Sequence, residues 1–271
     1  MALNHIIALL TTGVGVGFAS GLLGVGGCFI MVPVQYWIYT ATGVPAEVAI
    51  KVAFGTNLLV VLPTAASSAW GHSRRKAVWW RAGIILGICG MVGSFGGATI
   101  ASYLPGAGLK IAFGAVILTG GIRMLTARPP RVTESTKDSP WLWAAWGIPT
   151  GVVTGIIGIG GGVLMVPIMT LALKFKMHHA VATSAAMMMF TSLGGVIGYI
   201  VNGLEVTGLP SASIGYVHIW SWLALAATSV PMAQVGARTA HLLPAKQLRW
   251  IFIAVMLCMG LKMIGVFNWL G

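Results

Sequence analysis

Charged residues are scarce in this sequence, and acidic residues are almost absent. Asp, Glu, Lys and Arg together make up 7% of the 271 residues, only 4 of the charged side chains are acidic, and 57% of the residues are hydrophobic. Six uncharged runs each exceed the roughly 20 residues that a membrane-spanning helix needs. The composition therefore excludes a water-soluble domain and predicts an integral membrane protein that contacts the lipid bilayer.

Cysteine is also rare, and its three occurrences form no pattern. Cys28, Cys89 and Cys258 lie inside apolar runs without Cys-x-x-Cys spacing, so we expect neither a disulfide framework nor a metal site. A Gly-x-Ser-x-Gly turn, a Walker loop and a pair of acids in a catalytic setting are missing as well. These absences predict a protein that is not an enzyme and that uses no cofactor.

Basic residues are present in excess, and the formal net charge is +12. They lie in short segments between the apolar runs, as Lys and Arg do on the cytoplasmic side of membrane proteins. This distribution favours a role in orientation over nucleic-acid binding, so we expect no nucleic-acid partner. A basic cytoplasmic face would also concentrate anions.

A Gly-rich segment occurs twice in the chain. Residues 17–33, GFASGLLGVGGCFIMVP, align without gaps on residues 151–167, GVVTGIIGIGGGVLMVP, with eight identical positions. A fainter match pairs FGTNLL at 54–59 with VATSAA at 181–186. The chain is therefore predicted to contain two copies of one structural unit.

The two copies divide the chain into a first transmembrane repeat, 1–126, and a second, 141–271, joined by a polar cytoplasmic linker at 127–140. A single helix from 6 to 40 would be about 50 Å long, too long for one crossing, so each repeat is predicted to open with a Gly-rich broken helix or hairpin. The predicted helical segments are 6–24, 27–40, 52–70, 82–103 and 108–125, then 142–157, 162–174, 180–201, 217–240 and 247–265.

The distribution of Lys and Arg predicts the orientation of these segments. If the loop with Arg74 and Arg75 is cytoplasmic, thirteen basic residues fall on that side and only Lys51, Lys110 and Lys262 on the other. This arrangement requires the repeats to be inverted relative to each other and both termini to lie outside. The predicted fold is an all-α, multi-pass protein of the cytoplasmic (inner) membrane, with two inverted repeats of about five helical segments each.

Broken helices and inverted repeats together are typical of secondary transporters, whose substrate binds near the midplane between the repeats. Glycine lets the chain turn there and leaves helix-start N–H groups free to bind a small anion. The alternative is that these glycines only pack helices closely, as glycines at four-residue spacing do. The candidate substrate-binding residues are Gly24, Gly26, Gly27, Thr56, Asn57, Gly158, Gly160, Gly161, Thr183, Ser184 and Arg238.

The polar candidates have alternative roles that the sequence leaves open. The pairs Thr56-Asn57 and Thr183-Ser184 are predicted near the start of the third segment of each repeat. They could donate hydrogen bonds to substrate oxygens or cap a helix. Arg238 lies near the end of a segment and could contact an anion or extend to the membrane interface.

The repeated GLLGVGG and GIIGIGGG motifs with their Val-Pro ends, the GTN and ATS elements, and the HSRR turn that begins at His72 resemble the TauE/SafE family of sulfite and organosulfur anion transporters. The resemblance spans nearly the whole chain. It implies a permease that exports sulfite or sulfonates such as sulfoacetate. Asn57, where Ser is common, and the nearby Lys51 depart from the pattern. Uptake of related anions, a non-transporting scaffold subunit and the formation of a homo-oligomer stay open.

Overall fold

The computed structural model describes residues 3–24, 26–126 and 138–264, and within these ranges it contains ten helices and one short β-hairpin. The helices of the first half are α1 (Leu3–Leu23), α2 (Cys28–Ala41), α3 (Ala46–Ser73), α4 (Trp80–Tyr103) and α5 (Gly106–Thr126). Those of the second half are α6 (Pro140–Ile157), α7 (Gly162–Leu171), α8 (Met177–Val201), α9 (Ile219–Ala240) and α10 (Ala245–Ile264). The hairpin strands β1 (Ser213–Ile214) and β2 (Val217–His218) pair antiparallel between α8 and α9.

Several helices have the length and composition of membrane spans. Among the described residues, five helices are long and apolar enough to cross a bilayer: α1, α3, α4, α8 and the Gly106–Arg123 part of α5. Large apolar side chains such as Val92 and Ile111 are exposed on the outer faces of the bundle, as a lipid environment permits. The prediction of an all-α, multi-pass membrane protein is confirmed.

All ten predicted segments are found as helices, and every described helix end lies within three residues of the prediction except the start of α3. Helix α3 begins at Ala46, six residues before the predicted start at 52. The charged residues that interrupt the apolar run are accommodated within the helix, because Glu47 accepts a hydrogen bond from the Gly106 N–H and Lys51 donates to the Ser102 carbonyl at 2.7 Å. Helix α7 ends at Leu171 rather than at 174, and Lys174 then adopts a left-handed conformation with φ of 63°.

Close helix packing through glycine is used equivalently in the two halves. Helix α1 packs against α9, and α6 packs against α4. A methyl group at Gly17 would collide with the backbone of Ser229, and one at Gly151 with the backbone of Gly90. The packing role expected for glycines at four-residue spacing is therefore confirmed for these helices. The same type of backbone contact occurs at Gly13, Gly21, Gly93, Gly97 and Gly155.

The centre of the bundle is formed by α3 and α8, the third helices of the two halves, which pack against each other. Their middle segments are almost completely buried, so the two copies meet in the protein core. The opposite orientation of the two copies in the membrane stays a prediction. The predicted linker 127–140 falls largely on residues 127–137, which lie outside the described ranges.

Candidate functional site

The first Gly-rich motif forms a sharp turn between α1 and α2. Gly24, Gly26 and Gly27 have φ angles of 66°, 74° and 65°, in the left-handed region that other residues rarely adopt. Helix α1 ends at Leu23 and α2 begins at Cys28. The break that was predicted from the length of the apolar run is therefore present, and its conformation requires glycine.

The second motif repeats this geometry between α6 and α7. Gly158, Gly160 and Gly161 have φ angles of 62°, 71° and 101°, at the positions that align with the three glycines of the first turn. All six glycines are buried. We call Gly24, Gly26 and Gly27 the first glycine turn and residues 158–161 the second glycine turn.

Each glycine turn is held by the central helix of the other half. The Asn57 side-chain amide of α3 donates a hydrogen bond to the Gly158 carbonyl, and the Ser184 hydroxyl of α8 donates to the Gly24 carbonyl at 2.9 Å. Asn57 and Ser184 occupy equivalent positions in the FGTNLL and VATSAA elements. The structure thus brings both predicted residues to the glycine turns, through contacts between residues more than 100 positions apart in the chain.

The neighbouring threonines support the starts of other helices rather than of their own. Thr56 accepts a hydrogen bond from the His218 N–H at 2.8 Å, and Thr183 accepts from the Trp79 N–H at 3.0 Å. His218 and Trp79 are the N-cap residues of α9 and α4. The predicted alternative that Thr56 and Thr183 cap their own helices is wrong, because both lie well inside α3 and α8.

The two glycine turns lie on either side of one apolar side chain, Val61 of α3. A methyl group at the Cβ position of Gly26 would lie 3.2 Å from both Val61 Cγ atoms, and one at Gly160 would lie 2.9 Å from Val61 Cγ1. Val61 is fully buried. Nothing in the sequence distinguishes this residue, because a valine in an apolar run is ordinary.

The second glycine turn is surrounded by hydroxyl groups. The Thr191 hydroxyl donates to the Gly160 carbonyl at 2.6 Å. A methyl group at Gly161 would lie 3.3 Å from Thr154 Oγ1, and one at Gly160 would lie 3.2 Å from Ser192 Oγ. Thr154 Oγ1 and Ser192 Oγ are buried without a hydrogen-bond partner. An unsatisfied buried hydroxyl costs about 1–3 kcal/mol, and of the buried, unpartnered hydroxyls among the described residues these two lie beside the second glycine turn.

The first glycine turn has a different environment. Its nearest side chains at Gly26 and Gly27 are Val61, Met188 and Val16, all apolar. The two turns therefore share one backbone geometry but differ in polarity. Comparison of the two motifs did not reveal this difference in polarity. Of the hydroxyl residues at the second turn, only Thr154 lies inside the aligned segment and could have been identified from it.

Helix α7 adds backbone donors at the second glycine turn. The N–H groups of Leu164 and Met165 donate hydrogen bonds to the Gly161 carbonyl at 3.2 and 2.9 Å. The N–H groups of the two preceding residues, Gly162 and Val163, lie in the first turn of α7, where no intrahelical acceptor exists. They are also at the positive end of the helix dipole. Backbone donors and free hydroxyls together can bind an oxyanion.

Arg238 lies apart from the glycine turns. Its side chain is exposed in the last turn of α9, and its carbonyl accepts a hydrogen bond from Arg75 at 3.0 Å. Of the predicted candidates, the structure brings together the six glycines, Asn57 and Ser184, and places Thr56 and Thr183 beside them in the same helices. Among the described residues, no group of three or more His, Cys, Asp or Glu is arranged to hold a metal ion.

Two cavities open elsewhere on the molecule. One of about 640 Å³ lies between α5, α6 and α7 and is lined mainly by apolar residues, and another of about 400 Å³ lies between α1 and α9. Neither is lined by a residue of the glycine turns. Together with the burial of the turns, this indicates that the candidate site is closed to solvent in this conformation.

Comparison with known proteins gives consistent matches over the whole chain. The family model described as sulfite exporter TauE/SafE matches residues 9–263. A probable membrane transporter protein of Methanocaldococcus jannaschii is 31% identical over 257 residues, which cover 94% of each chain. A probable membrane transporter protein of Haemophilus influenzae is 27% identical and covers 96% of this chain and 98% of its own length. The probable membrane transporter protein YunE of Bacillus subtilis is 28% identical, with coverages of 97% and 99%. No solved structure matches the chain.

Proposed function

Because this chain belongs to the sulfite exporter TauE/SafE family, we propose that it is a secondary transporter that exports a small sulfur-containing oxyanion, such as sulfite or a sulfonate, across the cytoplasmic membrane. That it is a membrane transporter and not an enzyme follows from the family and from the names of its relatives. The substrate class and the direction are the proposal, and the candidate site supports them.

The observation that carries the proposal is the second glycine turn. It combines two buried, unpartnered hydroxyls, those of Thr154 and Ser192, with the start of helix α7. A sulfite or sulfonate group has three oxygens that accept hydrogen bonds, and its charge is stabilised by donors that are fixed in place and shielded from water. Such a site needs no basic side chain, so the exposed position of Arg238 is compatible with it.

The hydrogen bonds that join each glycine turn to the other half support a transport movement of one half against the other. Each glycine turn is tied to the central helix of the other half, through Asn57 and Ser184. A displacement of one half against the other therefore changes the surroundings of both turns at once. In a transporter with inverted repeats, such a displacement exposes one central site to each side of the membrane in turn.

Export is favoured by the membrane potential. An anion leaving a negative interior gains about 2.3 kcal/mol per charge for each 100 mV. The four acidic residues of the chain are too few for a carboxylate relay through the membrane, and Glu47 is bonded to the start of α5. The potential alone is thus a sufficient driving force.

Flux measurements in proteoliposomes test this function directly. Vesicles loaded with labelled sulfite or sulfoacetate should release the anion faster when the potential favours its exit, and vesicles loaded in the same way but without the protein should not. Chloride and a carboxylate of similar size serve as control substrates. Counterflow with and without a proton gradient distinguishes uptake from export, and the absence of flux for every sulfur anion would contradict the proposal.

The orientation of the two halves gives a separate prediction. Single cysteines beside Arg75 and Lys176 should react with a membrane-impermeant reagent from one side, and cysteines near Lys51, at the exposed positions 45–47, and beside Glu205 from the other. The three native cysteines are replaced by alanine beforehand, and that background is the control. In intact bacterial cells, labelling only of the second pair agrees with cytoplasmic positions for Arg75 and Lys176 and with external termini. Reaction of the Arg75 and Lys176 positions from opposite sides would refute inverted repeats.

A further inference from the structure

Three histidines from different parts of the chain meet at one end of the bundle. His72 is in the last turn of α3, His178 is in the first turn of α8, and His241 follows the end of α9. His72 Nδ1 lies 3.0 Å from His241 Nε2, and the rings of His178 and His241 stack with centroids 5.8 Å apart. We call these three residues the histidine cluster.

The histidine cluster contacts the broken helix α1 directly. His72 Nε2 lies 2.9 Å from the carbonyl oxygen of Gly21, and the His72 side chain is 1% exposed. A carbonyl can only accept a hydrogen bond, so Nε2 of His72 carries a hydrogen. Gly21 is three residues before Gly24, which begins the first glycine turn. The cluster therefore joins the ends of α3 and α9 to the segment of α1 that leads into the turn.

The number of bound protons decides whether the bond between the two rings can exist. With both rings neutral, His72 Nδ1 accepts a hydrogen from His241 Nε2. With one added proton, a single hydrogen still lies between the two nitrogens. With two added protons, both nitrogens carry hydrogens that face each other, and the two positive rings repel. The second proton must therefore break the contact between His72 and His241.

The surroundings of the cluster are basic. Arg75 donates hydrogen bonds to the carbonyls of Ala237 and Arg238 at 3.3 and 3.0 Å. His179 of α8 bonds to the Ala77 carbonyl at 2.8 Å. Arg238, in the last turn of α9, is charged and exposed. Helix α1 contacts the cluster through the uncharged Gly21 carbonyl. Protons therefore enter the cluster against positive neighbours.

Burial lowers the pKa of His241 below its ordinary value, and the charges of Arg75, His178 and His179 lower it further. A lowered pKa means that the neutral ring prevails at neutral pH and that the charged ring appears only on acidification. The contact between His72 and His241 is thus intact near neutrality and is lost only well below the ordinary histidine range, because two protons must enter against burial and positive neighbours. The sign of the effect follows from the direction of the pKa shift.

We infer that the histidine cluster is a proton-binding site that controls the closure of the ends of α3 and α9. This inference rests on the proposed function, because anion transport is the process that the histidine cluster controls. Two bound protons separate the end of α3 from the end of α9, while His72 Nε2 keeps its hydrogen and its bond to the Gly21 carbonyl. Acidification on the side that faces the cluster therefore accelerates anion flux.

The pH dependence of flux in proteoliposomes tests the inference. When the medium facing the cluster is lowered stepwise from about pH 7.5 to about pH 4, wild-type flux should rise about fivefold or more at the acidic end, within the ordinary range of coupling between two sites. H72Q and H241Q should flatten this profile, since glutamine retains hydrogen bonding but binds no proton. H5Q is the matched control, because His5 lies beside Trp37 away from the cluster. A wild-type profile in H72Q and H241Q would overturn the inference.

A second measurement needs no transport. In detergent-solubilised protein with isotope-labelled histidine, the NMR signals of His72 and His241 should shift together on acidification, and H241Q should change the titration of His72. If no anion is transported at any pH but the two signals titrate together, the proposed function fails and the proton site stands. If the two signals titrate independently, the inference is wrong whatever the flux.

Discussion

Replacing Thr154 by Val and Ser192 by Ala is expected to lower sulfite or sulfonate flux by about tenfold to a hundredfold for each hydroxyl removed. Each hydroxyl would donate one hydrogen bond to a charged substrate, and such bonds contribute roughly 1.5–3 kcal/mol. Because neither oxygen has a partner in the substrate-free protein, its removal should leave the thermal stability unchanged or raised. Initial rates of flux and melting temperatures of the single and double variants measure the two effects separately.

The matched control for this prediction is Ser20→Ala. Ser20 aligns with Thr154 and is likewise buried without a hydrogen-bond partner, but it precedes the first glycine turn, where the nearest side chains at Gly26 and Gly27 are apolar. Its replacement should change the flux by less than about threefold, which corresponds to well under 1 kcal/mol. Equal losses for Ser20→Ala and Thr154→Val would show that the two turns contribute equally and would contradict an anion site at the second turn.

Leucine at Gly97 is expected to destabilise the protein by about 3 kcal/mol or more, at the upper end of what overpacking causes. A Cβ atom at Gly97 would collide with the carbonyl of Val152, and the obstacle is backbone rather than a flexible side chain. Helices α4 and α6 would have to separate along their whole contact. A fall in melting temperature and a loss of the monodisperse peak in size-exclusion chromatography should report the change.

Leucine at the adjacent Gly96 provides the control. No atom lies within 4 Å of a Cβ at this position, so the same substitution one residue away should leave the melting temperature nearly unaltered. Both variants lose a helix glycine and gain the same helix-forming side chain, and they differ only in what the side chain meets. Similar melting temperatures for the two would refute the close packing of α4 on α6.

The local parts of the architecture could be predicted from the sequence. Apolar segments identified all ten helices, and the length of the first uncharged run required a break near the glycines. Gly24 and Gly158 were found as equivalent residues because the left-handed turn that they begin can be made only by glycine with ease. The packing of Gly17 and Gly151 also follows from local sequence, through their spacing.

The start of α3 was mispredicted because it depends on contacts with other helices. The start of α3 was placed after Lys51, because charge interrupts the apolar run there. In the structure Lys51 reaches the Ser102 carbonyl and Glu47 reaches the start of α5, so both charged residues are accommodated inside the helix. Partners in other helices compensate for these charges, and a window of local hydropathy contains no information about them.

The surroundings of the candidate site could not be predicted, because they depend on contacts between the two halves. The repeated elements pointed to Asn57 and Ser184, but nothing local indicates that each binds the glycine turn of the other half. Ser192 is one of several small polar residues in an apolar helix, and only its position beside Gly160 distinguishes it. Arg238 was selected for its charge, and the structure places it on the surface, away from the turns.

The most direct test of an anion site at the second glycine turn is a structure of the protein with bound sulfite. The account predicts density for the anion within hydrogen-bond distance of Thr154 Oγ1, Ser192 Oγ and the first N–H groups of α7, and loss of that density in the Thr154→Val, Ser192→Ala variant. Density at the exposed Arg238 or in the groove between α5, α6 and α7, with the second glycine turn empty, would contradict it.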